Sequence, residues 1–158
     1  MGVKEFLSSD VLRDCVCKAV GPFLGMDVPL FEKCLAVSKV VYDSTKEACG
    51  EFGVRMYLVA GSWRGLATRE FSLKIERSHV FRDHAHNWLL ITDADVFVHT
   101  IMDDTPEPPN NNPGPRQERS AYFDATACQF TGQPWSFEGC FGSVVEGSLV
   151  QERVWTIK

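Results

Sequence analysis

Apolar residues follow a helical period in the first third of the chain and a strand period over most of the rest. Val11, Leu12, Cys15, Val16, Ala19 and Val20 share one helical face behind the capping candidates Ser8, Ser9 and Asp10, and Gly21 with Pro22 is expected to end that helix. A Gly- and Pro-dense stretch, GPFLGMDVP, reads as a loop. From about Leu30 to Cys49 a second face carries Leu30, Cys34, Val37, Val41 and Thr45, with Gly50 as its stop. Asp27 or Pro29 would mark the start of this helix, which leaves Cys34 in or just after the first turn.

After Gly53 the texture becomes that of strands. VRMYLVAG, REFSLKIE, NWLLIT and VFVHTIM are expected strands, the second with Phe71, Leu73 and Ile75 alternating against polar neighbours, the last two separated by the turn-like DAD. SAYFDATACQF and SLVQERVWTI read as two more, with the turn-rich, aromatic TGQPWSFEGCFGS between them. Residues 105–120, TPEPPNNNPGPRQERS, hold five of the eight prolines and three consecutive asparagines, so a long exposed loop is expected there. It is either a plain surface insertion or a lid over a site. Helices first and antiparallel strands after make the chain α+β, with N-terminal helices packed on an antiparallel sheet. A length of 158 residues suits one domain spanning 1–158, with a core large enough to need no disulfide or metal staple.

Composition narrows the classes of function. The 16 Lys and Arg are scattered among 21 Asp and Glu, for a net charge of −5, so no basic stripe points to nucleic acid. No run approaches the ~18 apolar residues of a membrane span, and MGVKEFLSSD lacks the layout of a secretory signal, so a cytoplasmic, unexported protein with no membrane partner is expected. The six cysteines, at 15, 17, 34, 49, 128 and 140, are then expected to be reduced thiols. Cys15 and Cys17 with His84 and His86 are of types that zinc accepts. Their spacing matches no common zinc motif, and buried Cys is often a small apolar residue, so no metal site is expected.

The candidate chemistry lies in Cys34, His86 and Asp103. They occur in that order, the cysteine in a helical pattern and the other two on successive strand-like runs. A thiol attacks acyl carbon as thiolate, so it needs an imidazole beside it, and the imidazole needs a third group to fix its tautomer. At a helix start, free amides and the positive dipole end favour the thiolate. Cys49 is the nearest rival, at the other end of the same helix, where the dipole acts against the anion. His84 lies two residues from His86 on the same strand face, and Asp104 is adjacent to Asp103, so both the base and the carboxylate keep a competitor.

The stretch from Cys34 to Gly61, CLAVSKVVYDSTKEACGEFGVRMYLVAG, resembles the transglutaminase-like segment of papain-like cysteine hydrolases, where a cysteine begins a helix and a glycine-led strand follows. Gly53 and Gly61 keep the family's eight-residue spacing, His86-Asn87-Trp88 is similar to its HxW, and Asp103-Asp104-Thr105 to its DxT. The resemblance covers about residues 30 to 105. It implies a papain/transglutaminase-like fold and a Cys34–His86–Asp103 triad, the DxT register preferring Asp103. It further implies acyl transfer from a peptide or carboxamide bond of a protein or peptide substrate without a cofactor, as a peptidase, deamidase or transglutaminase. Trp63, Trp88 and Trp135 are candidates to line a substrate cleft. Two other readings stand beside this one: a binding module that keeps the fold without the chemistry, and a small zinc protein.

Overall fold

A computed structural model describes residues 2–24, 33–63, 84–96, 98, 119–131, 134–141 and 149–156. The described architecture is α+β: helices α1 (Val3–Leu7), α2 (Asp10–Leu24) and α3 (Cys34–Phe52) precede and cover an antiparallel sheet. Its strands are β1 (Val54–Trp63), β2 (His84–Asp93), β3 (Ser120–Phe123) and β4 (Leu149–Thr156), in the spatial order β3-β2-β1-β4. A short helix α4 (Cys128–Thr131) and a 3-10 turn at Glu138–Cys140 follow β3.

Ser9 caps α2, its Oγ accepting the Leu12 amide at 3.2 Å, which singles it out from Ser8 and Asp10. Ser8 instead closes α1, its hydroxyl donating to the Lys4 carbonyl at 3.1 Å. The helix does not stop at Gly21 and Pro22 as the sequence suggests but runs to Leu24, with Pro22 inside it. Proline forfeits one i→i−4 bond, here to the carbonyl of exposed Lys18, and in the final turn of a solvent-facing helix that loss is small.

The next helix begins at Cys34 rather than near Leu30 and passes Gly50 to end at Phe52. Gly53 is the residue that terminates it, in the left-handed conformation at φ 65°, with its amide on the Gly50 carbonyl at 3.2 Å. The chain turns there directly into β1.

Alternation along β1 and β2 divides the sheet into two apolar layers. Met56, Leu58, Leu89, Ile91, Ala121 and Phe123 pack with Phe6, Leu12, Val16, Val20, Val37 and Val41 of the helices. Tyr57, Val59, Trp88, Leu90 and Tyr122 form the opposite layer, with Ala127 and Phe130. Both faces are therefore buried in the middle of the sheet, as near-continuous apolar runs such as WLLI require. SAYFDATACQF is a strand only to Phe123. At Asp124 the chain turns, and Cys128 opens α4, so the observed strand covers only the first 4 residues of the expected one. The expected strand 69–76, most of 96–102 and nearly all of the loop 105–120 lie outside the described residues.

Candidate functional site

Cys34 is the first residue of α3, behind Lys33 at the N-cap, where the backbone amides have no intrahelical acceptor. It is half-buried, and its Sγ donates to Asn87 Oδ1 at 3.7 Å. This places the start of α3 against His86-Asn87 near the opening of β2. In the β1–β2 register His86 stands opposite Gly61, so no side chain of β1 crowds the ring at that position.

The His86 imidazole is buried at 3% exposure, and Nε2 donates to Asp124 Oδ2 at 2.6 Å. Asp124 is itself 1% exposed. Its other oxygen accepts from the Thr126 amide at 2.9 Å and the Thr126 hydroxyl at 3.0 Å, a turn in which the side chain binds its own backbone two residues on. Gln129 Nε2 donates to Thr126 Oγ1 at 3.0 Å, and the Asp124 amide donates to the Cys140 carbonyl at 2.7 Å. The carboxylate thus reaches the ring from a turn fixed on several sides.

Aromatic rings hold the imidazole in place. Phe130 meets it edge-on at 4.8 Å between centroids and Trp88 lies over it at 5.8 Å and 27°. Burial pulls the His86 pKa down, but the Asp124 charge and hydrogen bond, followed by the bond and charge of Cys34, outweigh it and raise the value to about 9. At neutral pH the ring is a cation held between a carboxylate and a sulfur. Burial pushes the thiols of Cys49 and Cys128 up to about 11, and that of Cys140 up further, which makes them unreactive.

The sequence-predicted residues separate into three groups. Cys34 and His86 are brought together. Asp103 and its neighbour Asp104 lie outside the described residues, and the carboxylate bonded to His86 is Asp124, which sequence reasoning missed. Its signal was present in DAT: an aspartate after the apolar AYF, with threonine two positions on, is a turn that can bury a carboxylate.

Trp88 is fully buried against His86 and Tyr122, where it supports the ring from within the sheet rather than facing a cleft. Trp135 is half-buried, its Nε1 donating to the Ala125 carbonyl at 3.0 Å, so it braces the Asp124 turn. Trp63 is the last residue of β1, and His84 the first of β2 opposite it; their side chains lie outside the described residues. Cys15 is half-buried and Cys17 exposed on α2, and among the described residues no three His, Cys, Asp or Glu side chains converge on a metal position. Among those residues no helix is long and apolar enough to cross a membrane.

Comparison with known proteins returns no match, whether to family models, to characterised proteins or to solved structures.

Proposed function

We propose that the protein is a thiol-dependent acyl-transfer enzyme acting on peptide or carboxamide bonds, with Cys34 as nucleophile, His86 as acid and base, and Asp124 as the orienting carboxylate. The observation that carries this reading is the buried His86, tied through Nε2 to Asp124 and leaving Nδ1 as the nitrogen for Cys34 at a helix start. An imidazole has two nitrogens, and this arrangement uses both, so Asp124 takes the role that the transglutaminase resemblance gives to Asp103. A cysteine on the first residue of a helix and a histidine on an antiparallel strand support membership of the transglutaminase-like, papain-like hydrolases.

Chemistry follows from the charge state of the ring. The Cys34 thiolate, facing imidazolium, attacks the substrate carbonyl; a C–S bond forms and the C=O pair moves onto oxygen. That oxyanion falls near the backbone amide of Cys34, one of the free donors at the positive end of α3. Collapse breaks the C–N bond, and His86 gives its Nδ1 proton to the leaving amine. The neutral ring, still held by Asp124, then takes a proton from the water or amine that attacks the thioester and returns to imidazolium, and collapse of the second intermediate breaks the C–S bond and frees the thiolate.

Incubation with glutamine-bearing peptides, followed by mass spectrometry for chain cleavage, deamidation and incorporation of an added primary amine, tests the proposal. One of the three products is expected, dependent on Cys34 and lost in Cys34→Ala. Turnover equal in Cys34→Ala would remove the cysteine from the mechanism.

A further inference from the structure

A separate hollow lies toward the other end of α3 from Cys34. Cys34 opens that helix and Cys49 stands near its close, which sets them about 22 Å apart along the axis at ~1.5 Å per residue. There the last turns of α3 and the opening of β1 line a cavity of about 300 Å³, at the small end of the range in which proteins bind low-molecular-weight ligands. Its buried lining includes Cys49 and Met56, the latter with its sulfur 3.6 Å from the Thr45 hydroxyl. Tyr42, half-buried against the helical core, adds an aromatic wall. Burial pushes the Cys49 thiol up to about 11, so this lining carries neither charge nor nucleophile at neutral pH.

The mouth is cationic, in a chain of net charge −5. Lys46 and Arg55 both line the cavity and both are exposed. Lys46 holds Asp43 loosely, at 3.7 Å, and among the described residues Arg55 has no ion pair. Two cations less Asp43 leave one positive charge, and the carbonyl end of α3 opposes any greater negative charge than that balances. A single carboxylate fits this balance and a phosphate dianion exceeds it. Arginine presents a fork that pairs with a carboxylate through two parallel bonds, while the apolar lining accepts a body that water solvates poorly.

We propose that this cavity is a second binding site, for a small organic carboxylate whose charge sits between Lys46 and Arg55 and whose apolar body lies on Cys49 and Met56. It is remote from the thiol site and independent of the acyl-transfer reading.

Titration of isotope-labelled protein with 2-naphthoate, followed through backbone amide chemical shifts, tests the site. Shifts are expected to centre on residues 46–57 and to spare Cys34 and His86. Arg55→Gln is expected to weaken binding by about three- to tenfold, as loss of one exposed charged partner should. A Cβ at Gly50, which also lines the cavity, meets no atom within 4 Å, so Gly50→Leu should keep the native spectrum while its side chain obstructs the ligand, weakening binding by about tenfold or more. 2-Naphthalenemethanol supplies the body without the charge and inorganic phosphate the charge without the body, and each is expected to bind more weakly than 2-naphthoate. Equal binding of either one, unchanged affinity in Arg55→Gln, shifts centred elsewhere, or no shift with millimolar 2-naphthoate would overturn the proposal.

Discussion

Asp124 governs the candidate site at the scale of single residues. Without its charge, burial is the largest influence left on His86, and the ring would be neutral at neutral pH. Asp124→Asn is therefore expected to keep the shape of the turn and lose the cation. Activity should fall on the order of 10⁴-fold, by analogy with the loss of the orienting carboxylate in serine hydrolases. The same pair gives a pH dependence of stability. His86 binds its proton more tightly folded than unfolded, so the stabilisation is fully present below its ordinary pKa of 6.5 and is lost as pH rises through about 9. Thermal melting across that window should show Tm falling with pH in the natural protein and a flatter profile in Asp124→Asn; equal slopes would contradict the assignment of the cation to His86. Cys34 and His86 could be singled out in the sequence because each sits at a recognisable place in a regular element, a helix start and a strand start. The partner carboxylate was harder to read: its only local signal is the DAT turn at the end of a strand, and linear order alone does not favour Asp124 over Asp103.

Helix boundaries carry the argument at the scale of elements, since α3 must begin at Cys34 for the thiol to sit among free amides. Its other end depends on Gly53, whose positive φ an L side chain strains, whereas Gly50 lies in open space on the exposed face of the same helix. The two glycines therefore respond in opposite ways to one substitution. Gly53→Ala is expected to cost about 1 kcal/mol and Gly50→Ala to add about 0.5–1 kcal/mol, read from urea midpoints at constant m. Spacing alone had favoured Gly50 as the stop, since both are glycines at the end of the periodic face. Only the turn into β1 requires the left-handed residue at 53. The same kind of local signal misled at Pro22, where the helix carries its proline for two residues more, and at SAYFDATACQF, where β-forming residues continue past the point at which Asp124 binds its own backbone.

Over the whole molecule, the sheet order β3-β2-β1-β4 brings Cys34, His86 and Asp124 from three distant parts of the chain to one place. β2 is central to this, with β1 on one side and β3 on the other, and it carries His86 and Asn87 toward the start of α3. The α+β class was legible from the change in period after Gly53, because helix and strand periodicities follow directly from which side chains must be buried. Strand order was not legible, since β3 pairs with β2 across a span of chain whose length says nothing of register. Phe123, fully buried between Leu89 and the helical core, ties β3 and hence the Asp124 turn to the rest. Phe123→Ala is expected to destabilise by about 3–5 kcal/mol, measured by chemical denaturation.

The claim that the fold assembles a working thiol site is tested most directly by the pH profile of Cys34 alkylation in the natural protein, His86→Ala and Asp124→Asn, each checked for native folding. Cys34 should label faster than exposed Cys17 at neutral and mildly acidic pH, and that advantage should disappear in His86→Ala and shrink in Asp124→Asn. Equal reactivity of Cys34 and Cys17 in all three proteins would contradict it.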